Sequence, residues 1–136
     1  MDKEKTANEY KNCFLCGNDN PIGLKLQFEY LDGKAFSVWT TEKKYEGFEE
    51  IIHGGIIASL LDEAIAKIIM YKGNIAYTRE LNVIYQKPLP IGIEVVVSAE
   101  LIEQRHKLIN GKAIIYQKNN PEIIFAKGEA KFFIVS

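Results

Sequence analysis

Residues His53 to Ala64 contain the two features of this chain most suited to polar chemistry, a glycine pair and a carboxylate nine residues after the histidine. Gly54 and Gly55 allow another group to approach the backbone closely. The first amides of a helix have no partner within it, and the helix dipole favours an anion beside them. If a helix begins at the glycines, its start can stabilise an anion.

The residues after the glycines predict one amphipathic helix over about residues 56–71. Apolar residues recur in adjacent pairs four residues apart, as in Ile56/Ile57 and Leu60/Leu61, which is a helical pattern. The following Lys72-Gly73-Asn74 is typical of a helix end.

A helical wheel separates the two adjacent acids of this helix. At about 100° per residue, Asp62 lies on the shoulder of the apolar stripe, where a carboxylate is costly to bury without a partner or a task. Asp62 is therefore either a functional acid or a partly exposed helix residue. Glu63 falls on the polar face with Lys67 four residues later, so we expect it to be a solvated surface acid paired with that lysine.

Three motifs together resemble the PaaI-like branch of the hotdog-fold acyl-CoA thioesterases, over about residues 12–134. The first is His53-Gly54-Gly55 followed by Asp62. The other two are Cys13-Phe14-Leu15-Cys16-Gly17 with Asn20-Pro21-Ile22-Gly23-Leu24, and Thr78 to Pro88 with its closing Lys-Pro. The resemblance implies a sheet wrapped around a central helix and hydrolysis of an acyl-CoA thioester to free acid and CoA.

The resemblance also implies a role for each site residue. The Gly54 amide, with Gly55 beside it, would donate to the thioester oxyanion, and Asp62 would be general base or nucleophile. His53 would mainly orient the turn before the helix. Thr78 would help to hold the attacking water, although a β-prone strand residue explains it equally well.

Other positions concern substrate contacts. Some relatives carry Asn or Gln six residues before the histidine, where this chain has Gly47. Basic side chains at the site mouth could bind the phosphates of CoA, although solvated surface charge explains each of them separately. The candidates are Arg79, Lys87, Arg105 and Lys107.

The distance between Gly54 and Asp62 implies that the site is formed by two chains. Gly54 and Asp62 are eight residues apart, or about 12 Å along one helix, yet both must reach one carbonyl. Two antiparallel helices across a two-fold axis meet this requirement, so we expect a homodimer, or a dimer of dimers, with composite sites.

Two other functions compete with hydrolysis. One is a non-catalytic acyl-CoA binding module or ligand sensor, which would have no need of a carboxylate at Asp62. The other is a hotdog dehydratase or hydratase, which the spacing from His53 to Asp62 fits poorly.

Composition favours one globular domain. The chain has 136 residues, 47% of them hydrophobic, and a formal net charge of −1, which indicates no nucleic-acid partner. It has no long apolar run and no secretory signal, so we expect a cytoplasmic protein without a membrane segment. We expect residues 1–11 to be a flexible arm and residues 12–136 to be one hotdog thioesterase domain.

The cysteines predict a structural turn. Cys13 and Cys16 are the only two, and the two histidines, His53 and His106, lack ligand spacing to them. Because tetrahedral zinc needs about four ligands, we expect no metal site and no cofactor, and a tight turn that anchors the N-terminal arm.

Strand-like stretches on both sides of the helix complete the prediction. They cover residues 24–30, 34–41, 75–87, 93–103, 108–117 and 122–135. Asp32-Gly33 predicts a hairpin. Asn110-Gly111 is also typical of one, but the resemblance places that turn at residues 104–107, so we expect Asn110-Gly111 to be an irregularity within a strand. Short connections favour antiparallel pairing, which gives an α+β fold of about six strands and one long helix.

Overall fold

The computed structural model describes residues 10–136, and most of the predicted N-terminal arm, residues 1–9, lies outside the described residues. Within the described residues, one α-helix, α1, spans Gly54–Tyr71, and a single turn of 3-10 helix spans Lys43–Tyr45. The strands are β1 (Glu29–Leu31), β2 (Lys34–Thr40), β3 (Ala76–Tyr85), β4 (Glu94–Arg105), β5 (Leu108–Gln117) and β6 (Asn120–Ile134). The predicted α+β class is confirmed.

The strands form one antiparallel sheet in the order β1-β2-β4-β5-β6-β3. Helix α1 contacts every strand from β2 to β6, so the sheet curves around it. Leu60, Leu61, Ile65 and Ile68 of the helix are fully buried. Because burying one such side chain contributes about 1.5–3 kcal/mol, this face of the helix is the centre of the core.

The structure confirms the predicted hairpin at Asp32-Gly33 and the predicted helix end before Gly73. Asp32 and Gly33 have φ values of 52° and 76°, the left-handed pair of a type I′ hairpin, between β1 and β2. Gly73, with φ 98°, follows the helix end, and its N–H donates to the Met70 carbonyl at 2.9 Å. These glycines take backbone conformations that side chains disfavour.

The first predicted strand is only partly correct. Its alternating burial is present, since Leu24 and Leu26 are buried, but only Glu29–Leu31 forms a strand. Lys25 has φ 57°, which interrupts an extended chain. The Leu24 and Leu26 amides instead donate to the carbonyls of Phe14 and Leu15, so this stretch holds the Cys13–Gly17 turn.

The interpretation of Asn110-Gly111 is confirmed. Strand β5 runs through both residues, and the β4–β5 turn lies at residues 106–107. The register shifts on the opposite strand, between Leu101 and Glu103. A Cβ on Gly111 would lie 2.6 Å from Ile65 Cγ2, so this glycine permits close packing of α1 on the sheet.

No helix within residues 10–136 is long and apolar enough to span a membrane.

Candidate active site

His53 caps the start of α1. Its Nδ1 accepts a hydrogen bond from the Gly55 amide at 2.8 Å, and its carbonyl accepts from the amides of Ile56 and Ile57. Among the interactions of residues 10–136, the Gly54 amide has no hydrogen-bond partner. Gly54 therefore supplies the available donor of this helix start, whereas the Gly55 amide is engaged by His53.

Tyr85 holds the same helix start from the sheet. Its hydroxyl donates to the Gly54 carbonyl at 2.8 Å, and its ring atoms lie 3.5 Å from where a Cβ on Gly54 would be. No motif in the sequence indicated this role for Tyr85. Its partner is a backbone carbonyl 31 residues away, and the alternation of a single strand carries no signal for such a contact.

Asp62 and Thr78 form the second polar pair of the site. Thr78 Oγ1 donates to Asp62 Oδ1 at 2.7 Å. Burial raises the pKa of the Asp62 carboxyl, and the hydrogen bond from Thr78 offsets part of that rise. The pair is a carboxylate in a fixed orientation, with a higher proton affinity than that of an exposed aspartate.

A cavity of about 680 Å³ opens beside the helix start. Gly54, Ile57, Tyr85 and Lys87 are among its lining residues, whereas Asp62 is not. Gly54 and Asp62 lie about 12 Å apart along α1, so one chain presents the amide and the carboxylate at separate places.

Gly47 also lines this cavity. A Cβ on Gly47 would lie 2.9 Å from His53 Cα. The Gly47 amide donates to the Ile51 carbonyl, and the His53 amide donates to the Tyr45 carbonyl. The loop therefore folds tightly against His53 and leaves no room for a side chain at residue 47.

The four basic candidates occupy two places. Lys87 lines the cavity at the helix start. Arg79 lies at the bulge of β3 beside Thr78, Arg105 ends β4, and Lys107 lies in the β4–β5 turn. The Lys107 carbonyl accepts from the Ile134 amide, close to where β6 pairs with the beginning of β3. The last three therefore lie towards the Thr78 end of β3.

Glu63 is largely buried, contrary to the prediction of a solvated surface acid. Its pairing with Lys67 is present, with Nζ 3.7 Å from Oε2, but the two side chains are only 15% and 8% exposed. Cys13 Sγ lies 3.7 Å from the same Glu63 oxygen. The helical wheel was wrong about solvation because the Cys13–Cys16 turn covers this face of α1.

A buried polar cluster, separate from Asp62 and Thr78, is made up of Cys13, Cys16, Glu63 and Lys67. Burial and mutual interactions shift the pKa values of these four groups. Desolvation raises the pKa of Glu63. The hydrogen bond from the Cys16 thiol lowers the pKa of Cys13 to about 5, and the same interaction raises the pKa of Cys16. The charge of Glu63 raises the pKa of Lys67 despite its burial. The sulfur and carboxylate atoms of Cys13, Cys16 and Glu63 are the kinds that ligate metals.

The sequence matches known thioesterases. A family model described as the thioesterase superfamily matches residues 49–124, more than half of the chain. The acyl-coenzyme A thioesterase THEM4 of Mus musculus is 30% identical over 82 residues. That match covers 56% of this chain and 35% of THEM4, so the chain spans about a third of its curated relative.

Three solved structures are similar in fold. The thioesterase superfamily protein RHA08564 has a TM-score of 0.84 at 22% identity, covering 90% of this chain and 60% of that one. The PaaI protein of E. coli has a TM-score of 0.76 at 19% identity, covering 83% and 81%. The protein smu.793 of Streptococcus mutans, bound to acetyl CoA, has a TM-score of 0.75 at 15% identity, covering 82% and 89%. The predicted hotdog fold is confirmed.

Proposed function

We propose that this chain, which belongs to the thioesterase superfamily, hydrolyses an acyl-CoA thioester to a free acid and CoA. The observation that carries the proposal is the Asp62 carboxylate, oriented by Thr78, on a helix whose first amide is unpaired among the described residues. The relative THEM4, an acyl-coenzyme A thioesterase, and the acetyl CoA in a structural neighbour support the substrate class.

The active unit in this proposal is a dimer. Strand β3 lies at an edge of the sheet, with β6 as its neighbour, and its exposed side chains include Tyr77, Ile84 and Tyr85. An uncovered edge strand with apolar side chains favours pairing with a second chain.

Antiparallel pairing of two β3 strands also completes the site. It brings the Tyr85 end of one strand beside the Thr78 end of the other. Tyr85 contacts Gly54 and Thr78 contacts Asp62 within each chain. The pairing therefore brings Gly54 of one protomer towards Asp62 of the partner subunit. The site needs two chains because Gly54 and Asp62 of one chain lie too far apart along the helix to reach the same carbonyl.

The proposed reaction divides the chemistry between the two chains. Water attacks the thioester carbonyl while the Asp62 carboxylate takes its proton. The Gly54 amide donates to the oxyanion that forms, and the helix dipole stabilises the same charge. Collapse of the tetrahedral intermediate breaks the carbon–sulfur bond, and the CoA thiolate receives the proton. In the alternative route the Asp62 carboxylate attacks the carbonyl carbon and the carbon–sulfur bond breaks, which releases the CoA thiolate and leaves a mixed anhydride. Water then hydrolyses the anhydride to the free acid and regenerates Asp62, and the proton that the water loses goes to the thiolate.

Substrate binding in this proposal uses the cavity at the helix start. The acyl group would lie against its apolar side chains, at the interface between protomers. Lys87 on one protomer and Arg79, Arg105 or Lys107 on its partner are candidates for the CoA phosphates. Their positions towards opposite ends of β3 suit a substrate that crosses the dimer interface.

Hydrolysis across a panel of short, long and aromatic acyl-CoA esters tests the proposal. We expect turnover by the wild type, and a loss of about 10²- to 10⁴-fold in kcat for Asp62→Ala and Asp62→Asn. Glu103→Gln, which alters an exposed acid on β4, is the matched control and should keep full activity. If wild type and variants bind acyl-CoA without hydrolysing it, the protein is a binding module and the proposal is wrong.

A further inference from the structure

The Cys13–Cys16 turn and helix α1 bring together three side chains that ligate metals. The Sγ atoms of Cys13 and Cys16 and a carboxylate oxygen of Glu63 all lie within 4.8 Å of one another. We propose that these residues bind one thiophilic divalent cation of the Zn²⁺ class, which ties the segment before β1 to the polar face of α1.

The turn that presents the two sulfurs is tightly constrained. The Gly17 amide donates to the Cys13 carbonyl at 2.9 Å, and the Cys16 amide donates to Cys13 Sγ at 3.4 Å. A Cβ on Gly17 would lie 2.2 Å from the Lys11 carbonyl oxygen, so only glycine fits there. An amide that donates to sulfur favours the thiolate, the form that binds metal.

The third ligand comes from the helix at a suitable distance. Cys13 Sγ lies 3.7 Å from Glu63 Oε2 and 3.9 Å from Oε1. Tetrahedral zinc, with Zn–S near 2.3 Å and Zn–O near 2.1 Å, separates a sulfur from an oxygen ligand by about 3.6 Å. The side chains are therefore close to ligand spacing, and a water molecule would complete the four-coordinate set.

The charges of the cluster balance when the ion binds. Without metal, the negative Glu63 faces the positive Lys67, whose Nζ lies 3.7 Å from Oε2. With metal, the two thiolates and the Glu63 carboxylate carry three negative charges, and the divalent cation carries two positive ones. Lys67 neutralises the remaining negative charge, so the nearly buried site carries no net charge once the ion is bound.

Titration of the reduced, metal-free chain with Co²⁺ tests the site. We expect one Co²⁺ per chain, with a thiolate-to-metal charge-transfer band and the intense visible bands of tetrahedral cobalt, and displacement by Zn²⁺. Cys13→Ser and Cys16→Ser should each lose charge-transfer intensity. Glu63→Gln should weaken binding by at least the roughly 10- to 100-fold that loss of an outer partner costs. Asp19→Asn, an exposed acid of the same segment, is the control and should bind as the wild type does.

A second measurement needs no variant and so does not depend on how the variants fold. Zn²⁺ should slow alkylation of the wild-type thiols by iodoacetamide, and Mg²⁺ should not. The proposal is overturned if the reduced chain binds no Co²⁺, or if Glu63→Gln keeps the wild-type affinity and spectrum. It is also overturned if the thiols bind no metal and only form a Cys13–Cys16 disulfide in air. Both readouts are independent of thioester hydrolysis.

Discussion

Replacing Gly54 with proline removes the amide hydrogen on which the proposed oxyanion site depends. Proline suits the first position of a helix, where the N–H has no partner in the helix. The preceding residue, His53, has φ −59° and ψ 135°, a conformation that residues before proline prefer. The Gly54 amide makes no hydrogen bond among residues 10–136, so the substitution breaks none there.

The matched variant, Gly54→Ala, adds a side chain and keeps the amide. Its Cβ would lie 3.5 Å from ring atoms of Tyr85, an ordinary van der Waals distance. The Tyr85 hydroxyl can still donate to the carbonyl of residue 54 in both variants. Comparison of the two variants therefore isolates the amide hydrogen.

Loss of one oxyanion donor costs about 10²- to 10³-fold in kcat, or about 2.7–4 kcal/mol. We expect a loss of this size for Gly54→Pro, and less than about tenfold for Gly54→Ala. The assay is steady-state hydrolysis of the best acyl-CoA substrate, with circular dichroism and thermal melting to verify the fold. If folded Gly54→Pro keeps more than about a tenth of wild-type kcat, the Gly54 amide does not stabilise the oxyanion.

Four further predictions concern assembly, pH, positioning and packing. Unfolded Gly54→Pro and Asp62→Asn chains, mixed equally and refolded, should restore about one quarter of wild-type activity. Half the dimers then contain one chain of each kind, and each of these has one intact composite site out of two. If each site lay within a single chain, mixing would restore no activity. Burial raises the pKa of Asp62, so its ionisation destabilises the fold as pH rises through that pKa. At neutral pH Asp62→Asn should therefore melt no lower than wild type, and a lower melting temperature would refute this. The same variant should lose the acid limb of the pH–rate profile. Tyr85→Phe, which loses the hydrogen bond to Gly54, should lower kcat/KM by about tenfold or less, and an effect as large as that of Gly54→Pro would assign Tyr85 a direct role. Gly111→Ala, whose Cβ would meet Ile65, should lower Tm by roughly 3–10 °C, and an unchanged Tm would contradict the packing argument.

Short-range patterns in the sequence predicted much of the α+β fold, and the resemblance placed the β4–β5 turn. The paired apolar residues together with Lys72-Gly73-Asn74 predicted α1 and its end near residue 71, and Asp32-Gly33 predicted the first hairpin. Both signals act within a few residues, through helical periodicity and turn chemistry. The His53-Gly54-Gly55 motif likewise predicted a helix start. The first amides of a helix have no partner within it, so unpaired donors are expected there.

Contacts between segments distant in the sequence decided which side chains are buried and which meet at the candidate site. A helical wheel placed Glu63 in solvent because it considers only its own helix, whereas the Cys13–Cys16 turn, some 50 residues earlier, covers that face. The contact of Tyr85 with Gly54 spans 31 residues and likewise leaves no local pattern.

Asn110-Gly111 shows the same division most clearly. By itself the dipeptide is typical of a two-residue hairpin. The chain places it inside β5, and Gly111 serves the close approach of Ile65 from α1. The sequence determined the preferred local conformations, and burial against the rest of the chain decided which surfaces face solvent, since burial depends on what packs across the gap.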